Sequence, residues 1–313
     1  MRYRVTHHTE YSYGERVPLC HNVIRLRPRD TAFQTCATHE LTISPLPADR
    51  REHVDFFGNH VTWVAIQEPH NRLKVSTISE IDVIPGNAPA DPKSSAWQSP
   101  AWDQVKNSVA NRRDPDGLAA QEYSFDSPYV MRGPELAEFA RPSFPPGAPL
   151  LPAILNLTNR IFHEFTFDTG ATTIGTPILE VLHHRHGVCQ DFAHLQIGCL
   201  RSLGLPARYV SGYVVTKPPP GQPRLMGADA SHAWISAYVP DHGWIDFDPT
   251  NGLIPNGEHI TIAWARDYDD LSPVKGVITG GHRHSLNFSV DIEPIASPAK
   301  SETDGNKQPK TEV

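Results

Sequence analysis

Three short stretches hold residue types whose spacing suits nucleophilic catalysis. The first is Gly187-Val188-Cys189-Gln190-Asp191. It opens a run in which Phe192, Leu195, Cys199 and Leu203 recur at three- and four-residue intervals, one face of a helix. Gly204 and Pro206 end that helix in the usual order. Cys189 therefore falls in its first turn, where the positive end of the helix dipole and unpaired backbone N–H groups favour a thiolate. The same N–H groups can hold a developing oxyanion. Taken alone, the segment also suits a buried structural cysteine, which is how Cys199 on the same helix reads.

A nucleophile needs a base, and the base needs an orienter. Ser231-His232-Ala233-Trp234-Ile235-Ser236-Ala237-Tyr238-Val239 alternates as a strand, with His232, Trp234, Ser236 and Tyr238 on one face. The turn residues Pro240-Asp241-His242-Gly243 lead into a second strand, Trp244-Ile245-Asp246-Phe247-Asp248, which Pro249 ends. An antiparallel hairpin brings its outer ends together, so His232 and Asp248 meet at the open end. Opposed residues share a face, and a two-residue loop would place Asp248 behind the sheet. The pairing therefore requires a three-residue loop such as 240–242, opposing Trp234 to Asp248, or a bulge. A regular two-residue turn would favour Asp246 or Asn251 instead.

Around these stretches the chain divides by composition. Residues 1–85 hold short alternating segments, among them Tyr3 to Tyr13, Glu40 to Ile43, and Val54–Phe57 and Val61–Ile66 about Gly58-Asn59-His60. Leu73 to Val83 continues the pattern. They predict an all-β sandwich without catalytic residues. Residues 86–150, rich in Pro, Ser, Asn and Asp, read as a connector with short helices near 118–123 and 134–141. Residues 151–293 mix helix and strand, beginning with Ile154, Leu157, Ile161, Phe162 and Phe165 at helical spacing. Residues 294–313 carry almost nothing to bury and read as a disordered tail.

The 313 residues carry a net charge of -7, with Lys and Arg scattered, which argues against nucleic-acid binding. No run reaches 18 apolar residues, so no membrane span is expected, and the first residues lack a secretory apolar core. A cytoplasmic location with four free thiols follows as the expectation. His183, His184 and His186 cluster before Cys189, but no partner at metal-ligand spacing completes a set; they read as a solvated helix end.

Gly187 to His194, Leu203 to Tyr213, His232-Ala233-Trp234 and Gly243 to Asn251 together resemble the bacterial transglutaminase-like family of the papain-like thiol-enzyme superfamily. Tyr11-Ser12-Tyr13 and Phe56-Phe57-Gly58-Asn59 resemble the β-rich module that precedes such cores, and Arg266 to Gly276 also fits. The resemblance implies an α+β fold: a Cys-bearing helix packed on an antiparallel sheet, preceded by an all-β domain. It implies that Cys189 takes the acyl group of a protein or peptide amide as a thioester, with His232 as base and then acid and Asp248 as its partner. Water or an amine then receives the acyl group, and no cofactor or metal is required. Gln190, Tyr213, Trp234 and Trp244 are the candidates for the substrate groove, and a backbone group near 167–170 is a candidate second oxyanion donor. A non-catalytic binding or scaffold protein that keeps the fold is the alternative.

Overall fold

The structure is a computed structural model that describes residues 1–84, 97–216 and 230–295. It is a mixed α+β molecule built on three four-stranded antiparallel sheets. The amino-terminal strands are β1 (Arg2–Val17), β2 (Leu19–Ile24), β3 (Gln34–Ser44), β4 (Asp49–Val54), β5 (His60–Ile66) and β6 (His70–Val83). Alternation along β6 buries Leu73, Val75, Thr77, Ser79, Ile81 and Val83 and leaves the residues between them exposed or half-buried, as a half-covered sheet requires. Tyr13, Val17, Cys20, Ile24, Leu41, Ile43, Val64, Ile66, Leu73 and Val75 meet in one apolar cluster, the filling of a sandwich.

Two further strands complete that sandwich from the far end of the chain. β13 (Val274–Thr279) pairs with β2, and β14 (His284–Ile295) pairs with β1 along its length, from Arg2↔Ile295 to Tyr13↔His284. Residues 274–293, assigned to the second domain on sequence grounds, thus belong structurally to the first. Residues 294 and 295 continue β14 and are not tail; the rest of the expected tail lies outside the described residues. The sheet orders are β14-β1-β6-β3 and β13-β2-β5-β4, so the late strands cover what would otherwise be bare edges of β1 and β2.

Between the sandwich and the second domain lie α1 (Trp102–Asn111), α2 (Pro115–Glu122) and α3 (Pro134–Ala140). The second and third match the expected short helices; α1 was not anticipated. The segment is also more than a connector. Val105, Val109, Ala120, Val130, Leu136, Phe139 and Phe144 are buried in the same cluster as the core of the second domain. Pro and Gly punctuate it, and Leu118, Phe125 and Met131 stay exposed, yet these seven find cover.

In the second domain, α4 (Leu150–Glu164) and α5 (Ile178–His184) pack with α6 (Cys189–Ser202) beside a sheet of order β11-β10-β9-β12. Its strands are β9 (Ala207–Val214), β10 (Ala230–Val239), β11 (Gly243–Phe247) and β12 (His259–Ala265). α6 is buried almost all round, and each fully buried Leu or Ile on it contributes about 1.5–3 kcal/mol. Two of its buried polar residues find partners inside: Arg201 donates to the carbonyls of Tyr123, Ala207 and Arg266 and to the Ser127 hydroxyl, and the Gln196 amide nitrogen to Thr158. Gly212 on β9 allows close approach, since a Cβ there would lie 2.1 Å from the Ile260 carbonyl and 2.5 Å from the Trp234 ring. Among the described residues, no helix is long and apolar enough to cross a membrane.

Candidate active site

Cys189 is the first residue of α6, and the turn before it is locked from both sides. β7 (Thr166–Phe167) pairs in parallel with β8 (His186–Gly187), immediately upstream of the cysteine. Asp191 then reaches back: its Oδ2 accepts from the Val188 amide at 2.9 Å and from the Thr172 hydroxyl at 2.6 Å. Burial raises the Asp191 pKa, and those two hydrogen bonds oppose the shift. Gly187 leaves space for this carboxylate, because a Cβ there would meet it at 2.9 Å. The sequence therefore places Cys189 at a helix start with a fixed backbone.

β10 and β11 meet in the register of a three-residue loop, with Val239↔Gly243 through Ile235↔Phe247. Residues 240–242 form the loop, as the positions of His232 and Asp248 required. Asp241 and Gly243 take positive φ, +66° and +77°, which lets the chain reverse with an odd residue count. Asp248, just past β11, bridges back to Leu253.

At the open end the two side chains meet. His232 Nε2 lies 2.7 Å from Asp248 Oδ2, and both residues are buried, Asp248 completely. Cys189 and His232 line one cavity, and the nearby sulfur is among the causes that raise the His232 pKa. With Nε2 held by the carboxylate, Nδ1 is the ring nitrogen left for the sulfur. Asp248 is gripped by several donors: the amides of Thr250 and Asn251 at Oδ1, and the Asn251 side chain, His232 and His259 at Oδ2.

The charges follow from these contacts. Burial pushes the Asp248 carboxyl up, but hydrogen bonds from His232 and His259 outweigh it and hold the pKa below the usual carboxylate range. Burial pushes His232 down, yet the hydrogen bond to Asp248 and the nearby Cys189 win and raise it to about 10. The imidazole is thus held as imidazolium at neutral pH. Burial raises the Cys20 thiol, lifts Cys36 to about 11 and drives the fully buried Cys199 higher still.

His259 is the site residue that sequence reading missed. It stands on β12, 3.0 Å from Asp248 Oδ2, with its ring edge-on to Trp234. No spacing rule links β12 to β11, since the two strands lie at opposite edges of their sheet. Among the described residues, His232, Asp248 and His259 form the one set of three groups able to hold a metal ion, and their facing atoms already hydrogen-bond one another. His183 instead pairs with Glu135 at the exposed end of α5, and His184 and His186 are exposed.

Cys189 and His232 line a cavity of about 290 Å3. Val188, Gln190, Tyr209 and Tyr268 form its core side, while Thr9 and Tyr11 of β1 and Leu286 and Phe288 of β14 form a wall from the sandwich. Of the four groove candidates, only Gln190 lines it. Tyr213 is buried behind, with its hydroxyl 2.6 Å from His7 Nδ1. Trp234 is fully buried and donates its indole N–H to Asp246 at 3.0 Å. Trp244 lines a different cavity. All three stand on strands beside His232 or Asp248, but side-chain direction places them in core or in the neighbouring cavity. The expected oxyanion donors near 167–170 are also spent in part: the Asp168 amide donates to Gly187 and the Gly170 amide to Asp168.

Comparison with known proteins agrees with this architecture. Residues 3–82 match the bacterial transglutaminase-like N-terminal region, and residues 141–249 match the transglutaminase-like superfamily core. An uncharacterised protein of Mycobacterium tuberculosis is 39% identical over 310 residues, covering 95% of this chain and 94% of its own. A protein-glutamine gamma-glutamyltransferase of Pseudomonas aeruginosa is 30% identical over 125 residues, 40% of this chain and 19% of that one. The crystal structure of a candidate cysteine protease from Cytophaga hutchinsonii superposes with a TM-score of 0.73 at 22% identity, covering 96% of this chain and 92% of that one. Matching models at both ends of the fold, and a relative aligned over nearly its whole length, show that the chain belongs to the bacterial transglutaminase-like family.

Proposed function

We propose that the protein is a thiol enzyme that forms an acyl-thioester from a protein or peptide amide and passes the acyl group to water or an amine. The observation that carries this reading is that Cys189 and His232 line one accessible cavity while Asp248 holds the far nitrogen of the imidazole. The Cys189 thiolate attacks the amide carbonyl, and the oxyanion forms next to the free N–H groups at the start of α6. The His232 imidazolium gives its proton to the leaving nitrogen as the C–N bond breaks, releasing ammonia or an amine. His232, now neutral, takes a proton from the incoming water or amine, and the thioester C–S bond breaks to restore the thiolate. Asp248 holds the ring's tautomer through both halves.

The activity named for the Pseudomonas relative supports glutamine side-chain amides as the acyl donor. A cytoplasmic setting, which keeps Cys189 reduced, fits the same reading. The test is chemical. Iodoacetamide at pH 6–8 is expected to modify Cys189 far faster than Cys20, Cys36 or Cys199, as read by peptide mass mapping. Incubation with a glutamine peptide then releases ammonia, and an added primary amine appears in the product if transfer competes with hydrolysis. Slow, unselective alkylation together with no ammonia release would overturn the reading and leave a binding protein on a thiol-enzyme fold.

A further inference from the structure

A second cavity of about 150 Å3 lies behind the catalytic cluster, between the β9–β12 sheet and the sandwich. Its lining includes Arg208, Asp246, Trp244, Trp264 and His259 from the sheet, with Thr31 to Gln34 and Val83–Ile84 from the sandwich. Ala32, Ile84 and Asn256 at its rim are exposed, so it communicates with solvent.

The charges in this cavity are unusual. Arg208 is 8% exposed, and its guanidinium is stacked against Trp264 at 3.8 Å and Trp244 at 4.3 Å. Burial lowers its pKa to about 10, which leaves it cationic at neutral pH. Among the described residues no carboxylate lies within ion-pair distance of it, and its Nε has no partner. Asp246 attracts it without reaching it. The register explains why: Arg208 and Asp246 flank Ser236 on adjacent strands, two inter-strand spacings or about 10 Å apart at the backbone. Asp246 accepts from the Trp234 indole at Oδ2, and no donor to its Oδ1 is found among the described residues. A buried cation and a half-buried anion thus face one small chamber, each short of partners, and keeping the buried guanidinium unpaired is costly unless something completes it.

We propose that this cavity binds a small zwitterion, a free α-amino acid, whose carboxylate pairs with Arg208 and whose ammonium pairs with Asp246. Its size sets the class: a cavity of about 150 Å3 elsewhere takes benzene, so roughly six or seven non-hydrogen atoms fit, the size of alanine or serine. The guanidinium, fixed between two rings, presents its edge to a carboxylate, the geometry in which arginine recognises such a group. Binding here also has a route to the catalytic cluster. His259 lines this cavity and hydrogen-bonds Asp248, and Trp234 links Asp246 to the His259 ring. The site itself is independent of whether Cys189 performs the proposed chemistry.

Trp244 and Trp264 report on occupancy. Titrating the full-length protein with glycine, L-alanine or L-serine is expected to change tryptophan fluorescence in a saturable way, with matching heat by calorimetry. N-acetyl-alanine, which lacks the ammonium, and alaninamide, which lacks the carboxylate, are expected to bind at least about tenfold more weakly, the size of effect of leaving a buried charge unpaired. Asp246→Asn weakens alanine binding by a similar factor. Asn256→Trp at the rim blocks entry, and serves if Arg208→Lys fails to fold. No saturable response to the three amino acids up to tens of millimolar overturns the proposal. So does equal binding of the blocked analogues, which would mark a water-filled or unselective cavity.

Discussion

Cys189, His232 and Asp248 divide one task by environment. Asp248 has no solvent contact, yet its hydrogen bonds keep it ionised, and its field keeps His232 protonated. The sign of the resulting pH dependence follows from the two shifts. His232 has a folded pKa above its ordinary 6.5, so its stabilisation is complete below that value and is lost as pH rises through about 10. Asp248 has a folded pKa below its ordinary 3.8, so its stabilisation is present above that value and is lost as pH falls further. Melting temperature is therefore expected to fall between pH 7 and 10 in the native protein and to fall less in a His232→Gln variant. Cys189→Ala should abolish acyl transfer while preserving the fold. Asp248→Asn should cost about 10^3–10^4 in kcat, since an amide cannot hold the required tautomer. His259→Gln removes one donor to Asp248. It should lower kcat by roughly tenfold, with a shifted acid limb of the pH profile, whereas a merely structural His259 would change melting temperature alone.

At the scale of elements, the β10–β11 hairpin decides whether a triad exists. Its three-residue loop puts Asp248 on the His232 side, and removing one loop residue reverses every side chain beyond it. Deleting His242 is expected to leave a folded protein by circular dichroism with no detectable turnover, and with Asp248 turned away from the imidazole. Gly212 carries a different load. Adding a methyl there drives into the Ile260 carbonyl and the Trp234 ring, so Gly212→Ala should destabilise by about 1–3 kcal/mol, measurable by urea unfolding.

At the scale of the whole molecule, the sandwich completes the site. β13 and β14 travel from the end of the catalytic domain to close the sheets of β1 and β2, and Leu286 and Phe288 of β14 then stand over the cysteine as exposed apolar wall. A chain ending after Leu271 loses both strands and bares two sheet edges; aggregation on expression is the expected outcome, read by size exclusion. Phe288→Ser keeps the strand but removes apolar contact for a substrate. It should raise KM for peptides with an apolar residue beside the glutamine by about tenfold while leaving melting temperature within a degree or two, given about 1.5–3 kcal/mol for burying such a ring.

Much of the site was legible in local pattern. Helical periodicity placed Cys189 at a helix start, strand alternation placed His232 and Asp248 at the two ends of a hairpin, and register arithmetic required a three-residue loop or a bulge, which residues 240–242 supply as a loop. These are properties of neighbours in the chain, governed by periods of 3.6 and 2. His259 was not legible, nor the buried roles of Tyr213, Trp234 and Trp244, nor the return of β13 and β14 to the sandwich. Each depends on contacts between segments far apart in sequence, where alternation shows that a residue faces a given side but not what covers that side. The sequence alone determined which residues could do chemistry and that two of them must meet. Only the tertiary structure decided what surrounds them, because burial and the partners of a charge are set by packing across elements.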